Sequence, residues 1–203
     1  MLYFLRLPLF VISWGSFSIN FKFRSFIMLT RIFILIFITL SSLFSQIKVG
    51  DTAPTFFTKK LDGGSFFLSD SLERNNNPIV LSFFATWCVP CRTEIPILDS
   101  LSTIHKDTDF YLVNVSGLRQ GSRTLKEEPT MVQEMIKNLK SSIPVLMDKY
   151  GVAAEKYGAM VLPTTAIINP EGKIAYIHTG FKVGDEKEIV SILESFKKAK
   201  IAD

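Results

Sequence analysis

The chain has 203 residues, 47% of them hydrophobic, which suits one globular domain with an additional segment. Its formal net charge of +4 comes from residues 1–45, which hold four of the 23 basic residues and none of the 19 acidic ones. The remaining residues are therefore formally neutral. A basic surface for nucleic acid has no support in this balance, and we expect no nucleic-acid partner.

Residues 1–45 are predicted to be a leader that contains a secretory signal peptide. A basic residue soon after Met28 precedes an apolar run that is too short to span a bilayer comfortably. Cleavage near Ser45 would leave a domain at 46–203. A second apolar stretch upstream favours Met28 as the true start; an unusually long leader and an uncleaved membrane anchor are the alternatives. Each places the domain outside the cytoplasm, in the periplasm or cell envelope, with membrane contact only through an uncleaved leader.

The rest of the chain predicts alternating strands and helices. The nearly apolar run at 78–85 is typical of a strand buried on both faces of a sheet, and Asp62-Gly63-Gly64 predicts a hairpin ahead of it. The predicted strands are 55–61, 65–69, 78–85, 109–115, 143–146, 165–168 and 173–178; the predicted helices are a short one within 69–77, then 91–105, 131–139, 152–157 and a last one from 185, with an exposed loop at 116–126. This order predicts an α/β fold with helices on a mixed sheet.

The two cysteines of the chain stand where the buried strand passes into a helix, within Trp87-Cys88-Val89-Pro90-Cys91. Cys88 is expected at the helix N-terminus, where unpaired N–H groups stabilise a thiolate that can attack a disulfide. Cys91 returns to the same helix face one turn later, where it can attack the mixed disulfide and release the substrate. Pro90 suits the first turn of a helix and stiffens the ring that the disulfide closes.

A structural disulfide and a zinc site are the alternatives to a redox pair. So short a loop gains little stability from closure, and a chain with a sizeable core does not need it. A zinc site needs about four ligands, but beyond the cysteines the chain has only His105 and His178, each isolated in the sequence. We therefore expect no metal and no cofactor.

The segment 84–96 resembles the extracytoplasmic thiol-disulfide oxidoreductases of the TlpA/ResA type, which belong to the thioredoxin superfamily and are AhpC/TSA-Redoxin-like. The stretches 50–57 and 148–172 are similar to the same family, so the resemblance covers about 48–198. It implies a thioredoxin-like fold, in which a central mixed sheet is flanked by helices and extended by an N-terminal β-hairpin.

The resemblance also implies roles for individual residues. Cys88 would be the attacking thiolate, Cys91 the resolving thiol, and Pro163 a cis proline that faces the disulfide. The backbone of Leu162 could then pair with an extended substrate segment, while Trp87 either shields the site or packs in the core. The expected substrate-binding residues are Trp87, Val89, Pro90 and Leu162.

Two positions bear on proton transfer. Thioredoxin has a buried aspartate six residues before the first cysteine, where this chain has Ser82, so deprotonation of Cys91 would rely on water or another carboxylate. Glu94 matches the family pattern and is the candidate proton relay; a place on the helix surface or in a structural ion pair is the alternative.

The implied function is reduction of client protein disulfides outside the cytoplasm, for example in cytochrome c maturation, with electrons from a membrane thiol donor. The Val-Pro dipeptide lacks the histidine that strongly oxidising relatives carry between their cysteines. A copper metallochaperone is an alternative, although such carriers use a CxxxC pair with a distant histidine, for which His178 is the candidate. A peroxiredoxin-like peroxidase is another, but the proline and threonine of its pattern are replaced here by Leu81 and Ala85.

Overall fold

The computed structural model of the protein describes residues 47–120 and 123–202. The predicted signal peptide and its cleavage near Ser45 lie outside these residues. In chain order the elements are β1 (Phe57–Lys60), β2 (Ser65–Phe67), α1 (Leu68–Asn75), β3 (Ile79–Phe84), α2 (Val89–Ile104), β4 (Asp109–Val115), β5 (Leu118–Gln120), β6 (Arg123–Leu125), α3 (Pro129–Leu139), β7 (Val145–Asp148), α4 (Val152–Lys156), β8 (Thr164–Ile168), β9 (Ile174–Thr179) and α5 (Glu186–Ala202).

Seven of these strands form one mixed sheet in the order β2-β1-β7-β4-β3-β8-β9. Strand β4 runs parallel to β3 and β7, whereas β8 runs antiparallel to both β3 and β9. The β1–β2 hairpin adds to the sheet because β1 pairs antiparallel with β7. The predicted mixed sheet and its hairpin extension are thus both present.

Strand β3 lies in the interior of the sheet, and all six of its residues are buried. Because side chains alternate along a strand, Val80 and Phe84 enter one core with α2, α3 and α5, while Leu81 and Phe83 enter a second core with α1 and α4. An apolar run without alternation therefore predicts this strand correctly. The redox segment follows directly from its carboxyl end.

Two element predictions need correction. The segment predicted as an exposed loop at 116–126 contains the antiparallel pair β5–β6, which forms a small sheet of its own. Polar residues without apolar alternation gave no strand signal there. Strand β7 begins at Val145 rather than residue 143, since Pro144 has no N–H to donate and contributes its carbonyl to Leu112 instead.

Candidate active site

Cys88 and Cys91 form a disulfide across the first turn of α2, with their Cα atoms 5.4 Å apart. Cys88 is the N-cap of the helix, and its sulfur accepts a hydrogen bond of 3.3 Å from the backbone N–H of Cys91. Cys88 is 3% exposed and Cys91 is fully buried. An attacking group from outside therefore meets the sulfur of Cys88 before that of Cys91.

What we call the apolar rim consists of three exposed side chains, two in the redox segment and one just before Leu162 and Pro163. Val89 is 73% exposed, Val161 is 63% exposed and Trp87 is 42% exposed, although each side chain is large and apolar. The exposure of Trp87 contradicts the alternative in which this side chain packs in the core. Its ring lines an open groove of about 420 Å³ together with Arg92 and residues of α3. Exposed apolar side chains beside a reactive pair are suited to contact another molecule.

Pro163 precedes β8, and the peptide bond between Leu162 and Pro163 is cis. The carbonyl of Pro163 accepts a 2.7 Å hydrogen bond from the backbone N–H of Gly180. The next residue, Thr164, pairs with Phe83 at the carboxyl end of β3. The sheet therefore brings the proline segment to the edge from which the redox segment leaves.

Glu94 lies one turn beyond Cys91 on α2 and is 1% exposed, so the alternative of a place on the helix surface is wrong. The hydroxyl groups of Ser82 and Thr165 donate hydrogen bonds of 2.8 and 2.7 Å to its two oxygens. Desolvation by burial raises the pKa of Glu94 above its ordinary value, although these two hydrogen bonds oppose the shift. Within the described residues no cation lies within 4.0 Å of its carboxylate.

The buried carboxyl group therefore comes from the helix and not from the strand. Residues three apart on a helix share a face, which places Glu94 and Cys91 on the same buried side of α2. Ser82, at the position where thioredoxin has an aspartate, serves as a hydrogen-bond donor to this carboxylate.

Sequence analysis missed a second buried carboxylate, Glu127, just before α3. Its oxygens accept hydrogen bonds from the backbone N–H and the hydroxyl of Thr86, at 2.8 and 3.0 Å, and from the side-chain amide of Asn114, at 3.1 Å. Its own N–H donates to the Ser116 hydroxyl. The side chain of Arg92 binds the carbonyl of Thr86, so both polar backbone groups of this residue are held. The segment ahead of Cys88 is thus fixed from two sides.

The AhpC/TSA family matches residues 49–177, which is more than half of the chain. The chain belongs to the AhpC/TSA family. Among relatives in this family, the thiol-disulfide oxidoreductase ResA of Oceanobacillus iheyensis is 33% identical over 176 residues, covering 83% of this chain and 86% of ResA. The thioredoxin-like protein YneN of Bacillus subtilis is 32% identical over 143 residues, covering 70% of this chain and 78% of YneN.

The chain is also similar to a solved structure. A protein described as the thiol:disulfide interchange protein DsbE, from Chlorobium tepidum, superposes with a TM-score of 0.61 at 25% identity, and the match covers 73% of this chain and 99% of that one. The thioredoxin-like fold class expected from the resemblance is confirmed. This member of the AhpC/TSA family is an enzyme of the thiol-disulfide oxidoreductase class.

Two negative observations concern the part of the chain that the structure describes. No three histidine, cysteine, aspartate or glutamate side chains there are grouped so as to hold a metal ion. Among the same residues, none of the helices has the length and apolar character needed to cross a bilayer.

Proposed function

We propose that the protein reduces disulfides of client proteins outside the cytoplasm, with Cys88 and Cys91 as the redox pair. The observation that supports this most is the Cys88–Cys91 disulfide at the start of α2, together with the apolar rim and the buried Glu94 on the same helix. A helix N-terminus stabilises the Cys88 thiolate, and the rim offers a surface for a client segment.

The exchange proceeds in two steps. The Cys88 thiolate attacks one sulfur of the client disulfide, a mixed disulfide forms, and the other client sulfur leaves as a thiolate. Cys91 then loses its proton and attacks the Cys88 sulfur, which forms the Cys88–Cys91 disulfide and releases the second client thiolate. The client gains two electrons and the protein loses two.

Glu94 is the proposed proton acceptor for Cys91. Burial has already raised the pKa of this carboxyl group, which brings it closer to that of a thiol than an exposed glutamate would be. Ser82 and Thr165 orient both carboxylate oxygens. When the disulfide is reduced again, the same carboxyl group would return the proton to Cys91.

The client segment is proposed to lie across the rim. Trp87, Val89 and Pro90 would contact it on the helix side, and the backbone of Leu162, next to cis Pro163, would pair with it as an added strand. Main-chain pairing tolerates many sequences, which fits an enzyme that acts on protein disulfides. The proposed roles of Cys88, Cys91 and Pro163 are those that the family resemblance implies.

The cellular setting is part of the proposal. The predicted signal peptide supports a location in the periplasm or cell envelope, with a membrane anchor if the leader is retained. Haem-binding cysteines of apocytochrome c are candidate clients. Because each turnover oxidises the protein, it needs a dithiol donor, and a membrane thiol-electron donor is the proposed source.

Two variants test the exchange. Cys88→Ala removes the attacking thiol and should abolish reduction of a protein disulfide such as that of insulin, with dithiothreitol as the electron source. Cys91→Ala keeps the attack but lacks the resolving thiol, so it should accumulate mixed disulfides with cell-envelope proteins, which non-reducing electrophoresis detects. Retained reductase activity in Cys88→Ala, or no mixed disulfide with Cys91→Ala, would contradict the proposal.

A further inference from the structure

Three polar side chains form a row on a face of the sheet that is otherwise mostly apolar. Ser82 on β3 pairs in register with Thr165 on β8, and Thr165 pairs with His178 on β9. Directly paired residues point to the same side of a sheet, with Cβ atoms about 5 Å apart. The neighbouring residues on this face, Val80 and Ile167, belong to the core under α2 and α5. The row is therefore a polar feature within an apolar layer.

Two carboxyl groups lie next to members of this row. Glu94 of α2 accepts hydrogen bonds from the first two members, Ser82 and Thr165. Asp185, just before α5, places its Oδ2 3.7 Å from Nε2 of His178. The row thus has a carboxyl group at each end.

Burial changes sharply along the row. Glu94 and Thr165 are 1% and 3% exposed, whereas the side chains of His178 and Asp185 are 44% and 31% exposed. Within the row, the side chain of His178 is the one that reaches solvent. Thr165 lies between the two regions, since its hydroxyl donates to Glu94 and its backbone position pairs in register with His178.

Several charged or titratable groups surround His178. Tyr176 stacks on its ring, with centroids 6.0 Å apart. Burial raises the pKa of Tyr176, and the negative charges of Glu188, Asp185 and Glu94 raise it further. A positive charge on His178 lowers the pKa of Glu94, whereas the charge of Asp185 raises it. His178 is therefore close enough for its charge to affect the pKa of the Glu94 carboxyl group.

We propose that His178, with Asp185 beside it, connects the buried Glu94 to water for proton exchange. This rests on the proposed role of Glu94. When Cys91 attacks the mixed disulfide, its proton passes to the Glu94 carboxylate, then past the Thr165 hydroxyl to the imidazole and on to water. When the disulfide is reduced, the proton travels the opposite way. Histidine suits this position because one imidazole nitrogen can accept a proton while the other donates one.

The test measures the rate at which the reduced protein is oxidised by glutathione disulfide, followed by tryptophan fluorescence from pH 5 to 9 in dilute buffer. His178→Ala should be about tenfold slower, a smaller loss than the roughly 100-fold or more that a proton-transferring catalytic group supplies. Added imidazole should restore the rate, because a small base can enter beside the half-exposed site. The control Lys182→Gln removes an exposed charge from the same loop and should match the unchanged protein.

Glu94→Gln separates this inference from the proposed function. If Glu94→Gln is slow and the double variant with His178→Ala is no slower, the two residues act in one path, as proposed. If Glu94→Gln is slow but His178→Ala is not, or if imidazole fails to restore His178→Ala, the role of His178 is overturned. If Glu94→Gln itself reacts at the unchanged rate, the proposed role of Glu94 fails first.

Discussion

At the scale of single residues, the candidate site includes a buried carboxyl group beyond the cysteine pair. Glu94 is held by two hydroxyl groups that are contributed by two neighbouring strands, Ser82 from β3 and Thr165 from β8. The chain keeps this group despite the cost of burying a charge, which is typical of a site that moves protons.

The buried position of Glu94 predicts how stability depends on pH. Its pKa in the folded protein is raised above the ordinary value of 4.5, so between the two values the folded state holds a proton that the unfolded state has lost. The free energy of unfolding should therefore fall as the pH rises through this window, by about 1.4 kcal/mol per unit of pKa difference. Glu94→Gln should lack this fall, as measured by urea unfolding at a series of pH values. If the free energy of unfolding depends on pH in the same way in both proteins, the prediction is wrong.

The sequence predicts some of these residues but not others. Cys88 and Cys91 follow from a local motif, because their chemistry depends on short spacing, whereas Pro163 follows only from the family resemblance. The burial of Glu94 depends on which side of α2 meets the sheet, and the spacing of Ile95, Leu98 and Leu101 does not separate a core carboxylate from a surface one. Glu127 gives a still weaker signal, since its partner Thr86 is 41 positions away.

At the scale of elements, the segment between β3 and α2 is anchored by Glu127. This carboxylate, on the chain just before α3, accepts three hydrogen bonds and fixes Thr86, two residues before Cys88. The backbone that positions the attacking sulfur is therefore attached to a different part of the chain.

Glu127→Ala should loosen that segment. Loss of the carboxylate leaves the buried donors of Thr86 and Asn114 unpaired, which should lower the free energy of unfolding by about 2–4 kcal/mol. Reductase activity should fall as well, since Cys88 loses its fixed approach. Glu128→Ala removes the adjacent, exposed carboxylate and is the matched control. Equal stability of the two variants in denaturant unfolding would show that the anchor has no such effect.

Asp99 ties α2 to the segment between α3 and β7. Its Oδ1 accepts hydrogen bonds from the backbone N–H of Ser142 at 2.6 Å and from the hydroxyl groups of Ser141 and Ser142 at 3.1 Å each. Burial acts to raise the pKa of Asp99, but these hydrogen bonds outweigh it, and the pKa lies below the ordinary value of 3.8.

Asp99→Ala should therefore reduce stability by about 1–3 kcal/mol at neutral pH, the range for hydrogen bonds to a charged group. A depressed carboxyl pKa contributes stability above the unfolded value and loses it as the pH falls through the folded value. The difference between the two proteins should hence shrink below about pH 4, where unfolded aspartate is protonated. Thermal unfolding at pH 7 and pH 3 measures this difference in stability. Glu171→Gln, at an exposed position, is the control. A difference that does not change with pH would contradict this assignment.

Element predictions succeed where one apolar pattern decides the structure. The sequence predicts both β3 and the mostly apolar β4 closely, since such runs leave few alternatives. The β5–β6 pair was missed because its hydrogen bonds form between two polar stretches, a tertiary choice that local composition does not reveal. The strand order β2-β1-β7-β4 likewise depends on long-range pairing.

At the scale of the whole molecule, the redox pair is part of the core. Both cysteines lie in the apolar cluster that joins the sheet to α2, α3 and α5. That cluster also borders the polar row from Ser82 to His178. The proposed disulfide exchange and the proposed proton transfer would thus take place within one packed layer. The formally neutral domain suggests that clients are recognised by the apolar rim and backbone pairing more than by charge.

The reduction potential of the Cys88–Cys91 pair tests the central claim most directly. The purified protein would be equilibrated in thiol and disulfide buffers of defined ratio, and the oxidised fraction would be measured by thiol labelling. A protein-disulfide reductase that draws on a dithiol donor should have a potential near that of thioredoxin, about −270 mV. A value near that of DsbA, about −120 mV, would mean that the enzyme inserts disulfides, and would contradict the proposed direction.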